Sequence, residues 1–239
     1  MIEIKDLTVR FGGVVSIDDM SITFPGGTCG LIGPNGAGKT TFFNVLSGFV
    51  TPATGTVNID GVDLLAMPDF QRARWGLRRT FQTEQAIEKM SVYENVLIVS
   101  EHTSKLSRSA AAADVSQAIE LAGLKDKAKV AVGTLPASDR RMVEVARAMV
   151  GSPKLILLDE PAAGLPEGET ERLAHAIKQI PETIGATVIV VEHDMSLVQA
   201  CCTTTAVLDF GRMIANGPTG EVLRSPKVLS AYLGGEELL

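Results

Sequence analysis

The stretch Gly33-Pro34-Asn35-Gly36-Ala37-Gly38-Lys39-Thr40 fits the spacing G-x-x-x-x-G-K-[ST]. The apolar run 29–32 leads into it, and Thr41-Phe-Phe-Asn-Val-Leu46 leads out. A strand, a glycine-rich loop and a helix in that order make a cradle for the phosphates of a nucleoside triphosphate. Its glycines let the main chain approach closely, and successive N–H groups at a helix start form a nest that favours negative charge. Lys39 is then placed to reach the β- and γ-phosphates and the Thr40 hydroxyl to ligate Mg²⁺. The candidate cofactor contacts run from Gly33 through Thr41, and ATP with Mg²⁺ is the expected cofactor pair.

Outward from this loop, the N-terminal side reads as β structure. Residues 2–9 alternate apolar and polar, Phe11-Gly12-Gly13 breaks the pattern, and 20–24 alternates again before Pro25-Gly26-Gly27. On the other side Gly48 is placed to cap the loop's helix. Strands are expected at 56–61 and 77–81, with a short helix from Asp69 to about Gly76 between them. Residues 83–150 read as a mainly helical insertion, with helices at 91–100, 109–123 and 139–150 and a Ser/Ala-rich connection across 104–113. Continuous apolar runs at 154–158 and 187–191 predict central strands covered on both faces, separated by a helix over 167–179. A closing hairpin around Gly211 and a final helical segment over 221–233 complete the chain. The fold class is α/β. A parallel-sheet core of the P-loop NTPase kind carries an N-terminal antiparallel β subdomain and a helical subdomain. The 239 residues form one domain, with 1–82 and 151–239 as the core.

Two further sites belong to the ends of predicted strands, where open α/β sheets bind ligands. Asp159-Glu160 closes the run 155–158, and charges at the end of a buried strand need partners. Asp159 suits the Mg²⁺ shell, and Glu160 suits polarisation of the attacking water. His193, in Glu192-His193-Asp194, follows the strand 187–191 and is expected at the γ-phosphate.

The formal net charge of −6 argues against a dedicated nucleic-acid binder. Met1-Ile-Glu-Ile-Lys5 reads as a strand rather than a cationic leader, and no apolar run reaches the length of a membrane span. The three cysteines, two of them adjacent, make no disulfide framework and a poor zinc site, so buried thiols and a reducing compartment are expected.

With these residues in place the chain resembles an ABC-transporter ATP-binding subunit over nearly its whole length. Residues 33–40 match the Walker A loop, 155–160 the Walker B strand with its catalytic glutamate, and His193 the switch histidine. Arg79-Thr-Phe-Gln82 is similar to the family's Q-loop, which implies that Gln82 senses Mg²⁺ and water while its neighbours meet the membrane subunit. Phe11 sits where the family stacks an aromatic on adenine, and Ala162-Ala-Gly-Leu165 sits at its D-loop. The stretches 76–82, 159–165, 191–195 and 217–234 resemble subunits of branched-chain amino-acid, urea or amide uptake systems. The resemblance implies transmembrane permease partners, a second ATPase subunit and a peripheral place on the cytoplasmic face of the inner membrane. Membrane contact is then made only through partners.

One motif departs from the family. Where the family carries Leu-Ser-Gly-Gly-Gln, this chain has Leu135-Pro136-Ala137-Ser138-Asp139. Pro136 lacks both the serine hydroxyl and a backbone donor, and Ala137 and Ser138 add bulk where glycines would admit close approach. Asp139 is expected to place a negative charge near a phosphate, offset by Arg140 or Arg141, with Ser138 offering the remaining hydroxyl. A complete Walker set beside this altered signature favours an asymmetric pairing with a different subunit over a homodimer in which the substitutions are tolerated variants.

Overall fold

Alternation of Ile2, Ile4, Leu7 and Val9 turns all four inward from β1 (Ile2–Phe11) in the computed structural model, which describes residues 1–233. The chain returns as β2 (Val14–Phe24), enters the wholly buried β3 (Thr28–Ile32), and passes the phosphate loop into α1 (Lys39–Ser47). Next come β4 (Thr54–Ile59), β5 (Val62–Asp63), α2 (Asp69–Trp75) and β6 (Leu77–Arg79). The helical stretch holds α3 (Val92–Thr103), α4 (Arg108–Leu121), two short 3₁₀ turns, and α5 (Ala137–Ala148). Ser91 starts α3 with a reciprocal cap: its hydroxyl accepts from the Glu94 amide at 3.2 Å, and the Glu94 carboxylate accepts from the Ser91 amide at 2.8 Å. The remainder alternates as β7 (Leu155–Asp159), α6 (Glu167–Ile184), β8 (Thr187–Val191), α7 (Met195–Cys201) and β9 (Thr204–Asp209). It closes with β10 (Arg212–Pro218), α8 (Thr219–Val222) and α9 (Pro226–Leu233).

Two sheets result. Strands β2-β1-β4-β5 form an antiparallel sheet, and β10-β9-β3-β8-β7-β6 form a six-stranded sheet. In the larger sheet every pairing is parallel except β9 with β10. Strand alternation divides its side chains between two cores. Ile156, Leu158, Val188 and Val190 pack with α3 to α6, whereas Leu155, Leu157, Ile189 and Val191 pack with α1 and the antiparallel sheet. Because both faces are covered, β7 and β8 carry continuous apolar runs rather than alternating ones. All three cysteines are buried free thiols.

Several elements differ from expectation. Strand β2 begins at Val14, ahead of the expected 20–24, because the β-branched Val14, Val15 and Ile17 continue the pairing with β1 across irregular registers. Helix α4 starts at Arg108 within the expected connection, since Ser107 caps it by accepting from the Ala110 amide. Helix α6 runs through Pro181 to Ile184 and ends on left-handed Gly185. Strand β6 stops at Arg79. Helix α7 was not expected; Asp194 caps it, its carboxylate accepting from the amides of Ser196 and Leu197. Gly234, the end of the stretch 217–234, lies outside the described residues.

Candidate nucleotide site

The phosphate loop fills the turn between β3 and α1 and is locked from behind by main chain. Gly33 has φ 152°, and a Cβ there would lie 2.1 Å from the Leu208 carbonyl oxygen; at Gly38, φ 105°, it would lie 2.6 Å from that of Ser16. No side chain larger than hydrogen fits either position. Helix α1 opens without a side-chain cap, so its first amides are left for an anion. Lys39 is buried and folds back across the loop, its Nζ donating to the carbonyls of Gly33 at 2.6 Å and Pro34 at 2.9 Å. Burial lowers the Lys39 pKa, partly countered by the charges of Glu160 and Asp159. Thr40 is exposed at the helix start, and Thr41 shares a 2.7 Å hydroxyl contact with Ser16 of β2.

The ends of β7 and β8 supply the facing groups. Glu160 adopts a left-handed conformation, φ 48°, while its amide donates to the Val191 carbonyl at 2.9 Å. This turn brings its Oε1 to 3.2 Å from Nε2 of His193. Beneath them, buried Glu192 accepts from the amides of Ala162 at 2.7 Å and His193 at 3.0 Å, tying the turn after β7 to the turn after β8. Burial raises its pKa, and the amide hydrogen bonds act against that rise. Asp159 is buried, takes an ion pair from Arg79 on Oδ2 at 2.8 Å, and keeps Oδ1 buried without a hydrogen-bond partner among the described residues. An unpartnered buried carboxylate oxygen whose charge acts on Lys39 of the phosphate cradle suits a hard cation with oxygen ligands, and so fits Mg²⁺.

The other expected residues lie on neighbouring elements. Gln82 is exposed in the chain just beyond β6, whose residue Arg79 pairs with Leu157 of β7. Phe11 is 51% exposed at the β1–β2 turn, on the hairpin that carries Ser16. Ser138 lies in the first turn of α5 and makes no hydrogen bond to the phosphate loop among the described residues. The Asp139 expectation needs correction. Its side chain is 2% exposed and turned inward, ion-paired with Lys127 and, at 2.9 Å, with Arg172 of α6. Arg140 instead pairs with Glu84. Burial works to raise the Asp139 pKa, but hydrogen bonds from Lys127 and Arg172 outweigh it and the net value is lowered. The altered motif has lost donors without presenting a negative charge.

Ser16, Arg79 as a partner of Asp159, and Glu192 as a brace were not picked out from the sequence. A signal existed for the second: an arginine beside an apolar strand must find a counter-charge.

The sequence pattern of the ABC transporter family matches residues 17–163. The high-affinity branched-chain amino acid transport ATP-binding protein LivG of Escherichia coli K12 is 34% identical, the match covering 98% of each chain. BraF of Pseudomonas aeruginosa, which carries the same description, is also 34% identical over 98% of each chain. The crystal structure of the ADP conformation of an ATP-binding cassette of an ABC transporter superposes with a TM-score of 0.85 at 27% identity, covering 98% of both chains. A phosphate loop, paired carboxylates and a histidine brought to one end of a parallel sheet accord with these likenesses, and the chain belongs to the ABC transporter family as one of its ATP-binding cassettes.

Proposed function

We propose that this chain is the ATP-hydrolysing subunit of a membrane importer and that the solute is a branched-chain amino acid. The observation that carries the reading is the 3.2 Å approach of Glu160 to His193 beyond the strand end that holds Asp159, with the charges of Glu160 and Asp159 acting on Lys39 at the start of α1. Lys39 and the main-chain N–H groups of the loop from Asn35 to Thr41 hold the phosphates. Thr40, Asp159 and Gln82 hold Mg²⁺, which when bound neutralises charge on the phosphate oxygens. Glu160 orients and polarises the attacking water, His193 contacts the γ-phosphate, and Phe11 stacks on the base. The likeness to LivG and BraF supports the solute class. Among the described residues no helix is long and apolar enough to cross a membrane, which accords with a peripheral place on the cytoplasmic face, held by permease subunits. Residues 83–150 act as the helical subdomain that faces the second cassette. That cassette is a different chain, because Pro136 and Ala137 stand exposed without the hydroxyl, and Pro136 without the amide, that the motif supplies.

Reconstitution with its permease in vesicles tests this. Leucine uptake should require internal ATP, and Glu160→Gln should bind ATP while losing about 100-fold or more of the turnover and uptake. ATP-dependent uptake that survives this substitution would overturn the reading.

A further inference from the structure

The Q-loop motif begins with Arg79, whose guanidinium lies where β6, β7 and α1 meet. One nitrogen donates to Asp159 Oδ2 at 2.8 Å; another donates to Asn44 Oδ1 at 2.7 Å and Ser47 Oγ at 3.2 Å, both on the helix that opens at Lys39. The Arg79 and Asp159 side chains are 6% and 3% exposed. Three rings surround the charge, with the guanidinium carbon 4.9 Å from the Phe81 centroid, 5.5 Å from Phe43 and 6.0 Å from Phe49.

A pair this buried is weak evidence of stabilisation, because desolvating both charges offsets their attraction. Its geometry is more informative. An arginine fork can grip both oxygens of a carboxylate, yet this one takes a single oxygen of Asp159 and spends its other arm on α1. Oδ1 is left buried and unpartnered among the described residues. The main chain that carries the carboxylate is tied to the Q-loop motif as well, the Asp159 amide donating to Thr80 Oγ1 at 3.1 Å. A partner that pins one oxygen and leaves the other available is the arrangement by which an outer residue orients a metal ligand.

We infer that Arg79 is a positioning residue for Mg²⁺: it holds Asp159 through Oδ2, registers it against the phosphate-loop helix through Asn44 and Ser47, and so sets the affinity of the site for the ion. This rests on the ATP–Mg²⁺ reading above. The test is binding of a fluorescent ATP analogue to the purified chain, first without divalent ion and then with Mg²⁺ titrated in. Wild type should show Mg²⁺-dependent tightening. Arg79→Gln should raise the Mg²⁺ half-saturation concentration about tenfold or more while leaving metal-free binding within about twofold. Arg79→Lys keeps the charge but lacks the fork, so it should shift half-saturation in the same direction, and it decides the matter if the glutamine variant does not fold. An unshifted half-saturation, or an equal loss of metal-free and Mg²⁺-supported binding, overturns the role of Arg79. Wild type without any response to Mg²⁺ overturns the metal reading itself, so the two failures are distinct.

Discussion

Glu192 holds backbone amides from two different turns, Ala162 after β7 and His193 with Asp194 after β8. Since Glu160 and His193 belong to those same turns, their 3.2 Å contact depends on a side chain that touches neither Oε1 of Glu160 nor Nε2 of His193. Glu192→Ala would leave buried N–H groups unsatisfied, at a cost of about 1–3 kcal/mol of folding stability. Turnover should fall more than nucleotide affinity, because Lys39 and the glycine cradle are untouched. Urea unfolding with ATP titration and steady-state hydrolysis reads all three quantities. Unchanged turnover in a folded variant would remove Glu192 from the account. Neighbouring Glu160 shows the same economy of backbone: a left-handed glutamate, φ 48°, is an uncommon conformation that here swings its carboxylate toward the histidine.

At the scale of elements, α5 is anchored by Asp139, which joins it to Lys127 and to Arg172 of α6. Arg172 also donates to the carbonyls of Ala122 and Gly123 at the end of α4, so one cluster clasps three helices. The folded-state pKa of Asp139 lies below its unfolded value near 3.9. Its contribution is therefore present above that value and is lost as pH falls through the lower folded value. Asp139→Asn should be less stable than wild type by about 1–3 kcal/mol near neutrality. The gap between their unfolding midpoints should hold from about pH 7 to about pH 4 and narrow as the pH falls further; a gap that does not narrow between about pH 4 and about pH 2 would sink the ion-pair account. Asp139 also shows what sequence could and could not supply. The phosphate loop, the Asp159-Glu160 pair and His193 were legible because each follows a short continuous apolar run that reads as a strand buried on both faces, and parallel strands collect their C-terminal ends on one side. Helix α7 and the direction of Asp139 were not legible. The first is seven residues long and hangs on one cap, Asp194, while the second depends on partners 12 and 33 positions away in the chain. Expected strand 77–81 shortened to three residues because, although the Thr80 amide still donates to the Leu157 carbonyl, the Asp159 amide is taken by the Thr80 hydroxyl in place of a main-chain carbonyl.

For the whole molecule the decisive question is what the exposed start of α5 offers to a second cassette. Its first residue follows Pro136, which has no N–H, and neither Pro136 nor Ala137 carries a hydroxyl. The helix dipole and the amides of Ala137 and Ser138 remain, and Asp139 points inward rather than repelling a phosphate. On the proposed pairing, the deficit is therefore one of donors toward the second cassette's nucleotide and not of charge, which separates two substitutions that would otherwise seem equivalent. Removing a single preorganised donor typically costs a factor of about 100–1,000 in turnover. A homodimer of this chain, with the deficit at both sites, should hydrolyse ATP slowly, and mixing in a cassette with the consensus Leu-Ser-Gly-Gly-Gln should raise turnover at this chain's own Lys39–Glu160 site. Pro136→Ser should raise the rate of the chain alone about tenfold or more by returning a hydroxyl and an amide. Asp139→Gln should not, since it restores the consensus letter but breaks the ion pairs with Lys127 and Arg172. Measuring steady-state ATPase for the chain alone, each variant alone, and each mixed with the consensus cassette separates the cases. Brisk hydrolysis by the unmodified chain, unaffected by Pro136→Ser, would mean that the start of α5 works with its remaining amides and that two identical copies suffice. Slow hydrolysis relieved by Pro136→Ser and by the consensus partner, but not by Asp139→Gln, would place the asymmetry in one missing donor on one exposed turn.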